Sequence, residues 1–366
     1  MAVWLALPVI AGAAVLFAQL RHLPLAIGGA AVAPLPGLIA AAVAAKWIAA
    51  AHLGLLTIAL AWMLGASVAQ LLASEVVLHI LEGSSANDAM QRAWRNGWPA
   101  GIAAIVVGCL AVAAAMPDRH GLIQAASTVS SGLSAFLVLP FARWLPFGED
   151  FVVRANRLRE RRERLFDPLI AVARPRWGFS AGGIALVFAV LAVFGLRQFA
   201  RFPVPLYVWP VALALLAAAS AAVIRDWRAT ISTVAAMFLT AAIGFWIAAR
   251  LGLRDVPDIF MALAAGLVPV LALAGHAGRF FHEGDDATIG LARMLTRDAP
   301  VAGFAGVLLA AAALAAAPLA GKLAVVLLAV FVFTGAAALV FQPALTVVIE
   351  TLFPRKATLE ARYRVR

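Results

Sequence analysis

The chain has 366 residues, 64% hydrophobic and 13% charged, with a mean hydropathy of +0.97 and a formal net charge of +11. Soluble domains carry about 25% charged residues, so the composition excludes a water-soluble globular protein. A single cysteine, Cys109, excludes an internal disulfide and reads as a small buried hydrophobe. The sequence holds no phosphate-binding loop, zinc-ligand spacing or catalytic triad, so neither an enzyme nor a cofactor is expected.

Apolar runs long enough to cross a bilayer as helices recur along the chain. The expected class is an all-α polytopic membrane protein of about eleven spans: 1–19, 25–45, 53–76, 99–116, 121–142, 179–196, 205–224, 229–249, 257–276, 300–317 and 322–343. The first run has no basic start and is read as a span rather than a cleaved leader. The second contains Pro34 and Pro36 and should be broken or kinked, which a membrane helix tolerates when neighbours satisfy the freed carbonyls.

Polar segments follow the third and ninth spans, Ser84 to Asn96 and Asp285 to Asp298. Ser85 with Asp88, and Asp285 after Gly284, look like helix starts. Both segments should lie on the inner surface as amphipathic helices, with Ala89, Trp94 and Trp98, or Leu291, Met294 and Leu295, as the apolar side. Pro99 and Pro300 then open the next spans. The run from Arg154 to Arg164 reads as a solvated helix, with Arg159–Glu163 and Glu160–Arg164 spaced for i,i+4 ion pairs. No nucleic-acid partner is expected of it.

Shifting the sequence by 201 positions lays Gly65 on Gly266, Glu82-Gly83 on Glu283-Gly284, Arg92 on Arg293, Pro99 on Pro300 and Pro117 on Pro318, without a gap. This is an internal repeat. It divides the chain into a first five-helix unit (1–143), a basic connector (144–178), one linking span (179–196), a second five-helix unit (205–343) and a basic tail (344–366). The single linking span sets the two units parallel, one of the standard layouts of transporters. Placing the loops after odd-numbered spans in the cytoplasm puts 22 of the 29 lysines and arginines there. The positive-inside rule then sets the N-terminus outside and the C-terminus inside. The net charge reflects this bias and attraction to anionic membrane lipids.

Polar residues at membrane depth are the candidate transport path. Glu75 aligns with His276 through the repeat; the two could share a proton, or each could simply reach interfacial water. His79 lies one helical turn from Glu75, so a local hydrogen bond and a relay are both open. Ser67, Gln70 and Thr57 on the third span, and Gln124, Ser127, Ser131 and Ser134 on the fifth, form stripes that could line a path or mediate packing. Gly65 and Gly266 are read as sites of close helix approach.

Two stretches, Gly65 to Gly83 and Gly266 to Gly284, each place a glycine within a span and a Glu-Gly at its cytoplasmic end. With the surface helix and Pro-started span that follow, this layout resembles the membrane half of the resistance–nodulation–division (RND) superfamily, particularly its lipid-exporting, mycobacterial-membrane-protein-large-like (MMPL-like) branch. The resemblance implies a bacterial inner-membrane permease or exporter component for a hydrophobic or lipidic substrate, working with an extracytoplasmic partner protein or lipid-synthesis machinery. Two features depart from that family. Its large extracytoplasmic domains are missing, only Arg197 to Val204 separating the sixth and seventh spans. The intramembrane proton-relay Asp, one turn after the central glycine, is replaced by Ala69 and Val270. These departures keep open a non-transporting scaffold, lipid sensor or degenerate relative.

Overall fold

The computed structural model describes residues 20–49, 55–115, 119–172, 208–224, 226–252 and 341–353, with isolated positions within 10–17, 183–193 and 325–337. Among the described residues all regular structure is helical. Three helices are long and apolar enough to cross a membrane: Leu60–Leu81, Gly121–Arg143 and Trp227–Arg250. The expected spans at 1–19, 179–196, 257–276 and 300–317, most of 322–343, and the segment Asp285 to Asp298 lie outside the described residues.

The second expected span is broken. α1 (Leu23–Ile27) runs into a π-helical turn, Gly28–Val32, and the chain restarts as α2 (Leu35–Ala49). At the break the Ala33 amide bonds to the Gly28 carbonyl at 2.8 Å, while Pro34 and Pro36 offer no amide. Ser134 of the fifth helix donates to the Pro34 carbonyl at 3.1 Å, tying the break to its neighbour.

α3 (Leu55–Leu81) is the centre of the bundle, touching α2, α4 (Ala86–Ala115), α5 (Arg119–Ser134), α6 (Val138–Arg143) and α7 (Glu149–Val172). Because it meets neighbours on every side, it is apolar all round: Leu60, Met63, Leu64, Leu71 and Leu72 are fully buried. Gly65 sits where a Cβ would stand 2.5 Å from Ser131 Oγ, 2.8 Å from the Ser131 carbonyl oxygen and 2.9 Å from Pro34 Cβ. Its missing side chain lets α5 and the α2 entrance close on α3.

The turn from α3 to α4 is built from its own residues. Gly83 adopts φ +85°, its amide bonds to the Ile80 carbonyl and the Ser84 amide to the His79 carbonyl, both at 3.0 Å. This double bond around a left-handed residue is the Schellman closure, which favours glycine. Ser85 Oγ accepts from the Asp88 amide at 3.2 Å and donates to Asp88 Oδ2 at 2.8 Å, capping α4 where the sequence places a helix start.

Two expectations about this region need correction. The amphipathic segment and the following span are one continuous helix, with Pro99 inside it rather than at its start. One proline removes one intrahelical bond, a loss a long helix survives when the rest of its ladder holds. Thirty residues make a rod of about 45 Å, longer than a hydrocarbon core of about 30 Å. Nor do Ala89, Trp94 and Trp98 share one face. Ala89, Ala93 and Ala100 are buried against the bundle, whereas Trp94 and Trp98 are exposed.

α5 continues through a 3-10 turn, Ala135–Leu137, into α6, so that Gly121–Arg143 runs as one span. The basic α7 is fastened at its start by His22. That ring donates from Nε2 to the Pro146 carbonyl at 3.0 Å, accepts the Leu25 amide at Nδ1 at 3.3 Å, and packs on Phe147 and Phe151. Glu160 and Arg164 are both exposed and form no ion pair among the described residues, as befits a pairing worth little against hydration. The side chains of Arg159 and Glu163 lie outside the described set. In the rear half, α8 (Val208–Ile224) packs on both α4 and α9 (Trp227–Arg250), and α9 packs on α10 (Gln342–Leu352).

Candidate functional site

Helical spacing places Glu75, His79 and Glu82 on one face of α3, at i, i+4 and i+7. Across the Gly83 turn, α4 brings Asn96 over the same spot. Glu75 and His79 are buried at 3% and 6% exposure, so their polar atoms must be satisfied within the protein. Asn96 Nδ2 donates to Glu75 Oε2 at 3.2 Å and stands 3.1 Å from His79 Nε2. An amide nitrogen has no lone pair to offer, so Nε2 accepts and the ring proton sits on Nδ1. Nδ1 lies 2.9 Å from Glu82 Oε2, which accepts that proton's hydrogen bond. Nε2 is also 3.7 Å from Glu75 Oε2. The result is a buried imidazole between two carboxylates, with an amide from the next helix holding the ring in one tautomer.

This arrangement can hold two protonation patterns. With His79 neutral, Asn96 bridges α3 and α4. With His79 doubly protonated, its new Nε2–H opposes the Asn96 amide hydrogens and turns to Glu75. The sequence points to Glu75 and His79; it gives no role to Asn96, whose place depends on how α4 packs after the turn. Glu82 had a signal, since it continues the face of Glu75 by two turns.

The other candidate residues do not join this cluster. Ser67 Oγ donates back to its own helix at the Met63 carbonyl, 2.9 Å away, and Gln70 Nε2 donates to Ser74 Oγ at 3.1 Å. Gln124 Nε2 reaches Thr57 Oγ1 at 3.4 Å, linking α5 to α3 at the other end of the helix. Thr57 and Glu75 are 18 residues apart, or about 27 Å along α3. Ser127 Oγ donates to the Gln124 carbonyl at 2.7 Å and Ser134 Oγ to the Ser131 carbonyl at 3.0 Å, so these stripe residues make contacts at several places along α3 and α5. Ala69 is fully buried and carries no ionisable group. His276 and Gly266 lie outside the described residues.

A second buried polar contact, without a sequence-based expectation, joins the rear helices. Gln342 Nε2 donates to Thr233 Oγ1 at 3.0 Å, and Thr346 Oγ1 donates to Ser232 Oγ at 2.7 Å. Gln342 and Thr346 stand four residues apart in an apolar helix, a spacing that marks one face.

No family model matches the sequence, and no curated protein matches it. Solved structures do. The fold is similar to SecDF in its super-membrane-facing form, with a TM-score of 0.66 at 14% identity, over 98% of this chain and 62% of that one. It is similar also to SecDF, a translocon-associated membrane protein, from Thermus thermophilus, with a TM-score of 0.62 at 15% identity, over 99% of this chain and 62% of that one. The chain thus spans about 62% of the length of the SecDF structures it matches. SecDF is an RND-superfamily membrane protein. At this identity the likeness concerns the fold alone.

Proposed function

We propose that the protein is an RND-like permease or exporter component for a hydrophobic or lipidic substrate in a bacterial inner membrane. In this reading it has about eleven spans in two parallel five-helix units, an outer N-terminus and a cytoplasmic C-terminus. The observation that carries the reading is the SecDF-like fold extending over 98% of the chain. The apolar lining of the bundle and the lipid-exporting resemblance noted in the sequence favour a lipidic cargo of the MMPL-like kind. Membrane lipids are its expected surroundings, and an extracytoplasmic protein or the lipid-synthesis machinery its expected partner. It performs no covalent chemistry and binds neither cofactor nor nucleic acid.

Ala69 shapes the mechanism. A buried methyl cannot relay a proton, so movement through this protein does not draw on protons at that position. The same residue favours a second reading, a scaffold or lipid sensor that keeps the fold without transporting. Proteoliposomes separate the two. With the full chain reconstituted, a fluorescent phospholipid should cross between leaflets faster than in empty vesicles, at a rate unchanged when an ionophore collapses the pH gradient. Crossing no faster than in empty vesicles overturns the permease reading and leaves the scaffold.

A further inference from the structure

Beside the inner half of α4 an open groove of about 540 Å³ runs along the 3-10 turn and α6. Its wall is apolar. Trp94 meets Phe136 edge-on at 5.3 Å between centroids and stacks with Trp98 at 6.4 Å, and Leu139 and Pro140 line the opposite side. Gln91 and Arg95, both exposed, supply the polar lining, and none of the described residues that line the groove is acidic. Trp94 remains 47% exposed although Trp98 and Phe136 pack on it.

Gln91, Trp94, Arg95 and Trp98 follow one another over the two turns before Pro99, where the apolar run begins, so the tryptophans and the polar side chains share one depth at the edge of that run. Tryptophans gather at headgroup depth, where an apolar ring can meet a polar layer. An apolar trough with a few polar groups at one end suits an amphiphile. A guanidinium at that end is matched to a phosphate, which it can grip with two parallel hydrogen bonds. We propose that this groove is a binding site for an anionic glycerophospholipid of the leaflet on the arginine-rich side. Arg95 holds the phosphate, and an acyl chain lies along Trp94, Phe136 and Leu139. The site depends on α4 crossing the bilayer and not on transport; lipid can occupy it in a permease or a scaffold alike.

The test uses the full chain in nanodiscs of equal dioleoyl phosphatidylglycerol and dioleoyl phosphatidylcholine, with retained lipids counted by native mass spectrometry. The wild type should keep phosphatidylglycerol in preference. Arg95→Gln should lower that retention about fivefold, the effect of one basic residue at a membrane surface, and Arg95→Lys should keep most of it. Trp94→Ala should lower retention of both lipids. Inorganic phosphate should fail to displace the lipid, because it makes no use of the apolar wall. A photoactivatable phosphatidylglycerol should cross-link to residues 90–95 and 136–140. Unchanged retention in Arg95→Gln, displacement by phosphate, or cross-links confined elsewhere overturns the site; none of these bears on whether lipid crosses between leaflets.

Discussion

At the residue scale the account rests on buried polar atoms and on one missing methyl. Asn96 is a donor from the next helix to the buried carboxylate of Glu75. Asn96→Ala should lower stability by about 1–3 kcal/mol, the usual cost of stranding a buried polar group, read as a fall in melting temperature in detergent. An unchanged melting temperature would mean that other contacts hold Glu75. The tautomer has its own signature: in neutral His79, nitrogen NMR should find the ring proton on Nδ1, and an Nε2–H form would contradict the bonding to Asn96. Gly65→Ala should cost about 1–3 kcal/mol by overpacking. Since the added Cβ meets the backbone of Ser131 and the ring of Pro34 as well as the Ser131 hydroxyl, adding Ser131→Ala should not restore stability. Full restoration would place the clash at the hydroxyl alone. The Glu75 and His79 pairing is legible as helical spacing. Asn96 is not, because a contact across a turn depends on how the second helix tilts, which no periodicity records.

Elements behave as their ends dictate. Ser85 with Asp88 announces α4, and Gly83 provides the left-handed residue that closes α3; both signals are local, and both are visible in the chain. Asp226 caps α9 in the same way, its Oδ1 accepting the amides of Arg228 and Ala229 at 2.8 and 3.3 Å. Asp226→Ala should lower stability by about 1 kcal/mol, with Asp226→Asn keeping most of it; equal losses in the two variants would show that charge rather than capping matters. Pro99 is where the sequence misleads. A proline before an apolar run suits a helix start as well as a tolerated interior site, and only the packing of the surrounding helices decides between them. Pro99→Ala should therefore raise stability, by at most about 3 kcal/mol, since it returns one bond to a helix that already exists. A fall in melting temperature would show that the proline sets a bend on which the α3–α4 contact depends. The faces of α4 depart from the sequence pattern for a related reason. Alanine and tryptophan both score as apolar, yet the small residue seeks a helix neighbour and the large amphipathic ring the membrane boundary.

At the scale of the whole molecule, composition alone fixes the class, and the fold follows from a central apolar helix that others surround. The likeness to SecDF covers 98% of the chain, and the proposed duplication rests on glycine, glutamate and proline recurring at an interval of 201 residues. What the duplication implies about direction is a separate matter: identical units can be related by an axis along the membrane normal or within its plane. The positions of charge favour the first, because Arg119 and Lys322 close corresponding loops while the arginines from Arg143 to Arg176 gather elsewhere. The deciding measurement is labelling by a membrane-impermeant maleimide of single cysteines, Arg119→Cys, Arg161→Cys and Lys322→Cys, in a Cys109→Ser background in intact cells. Parallel units predict that positions 119 and 322 react in intact cells and that position 161 reacts only after permeabilisation. Reaction of 119 and 322 from opposite sides, or of 161 together with either, would contradict the parallel arrangement.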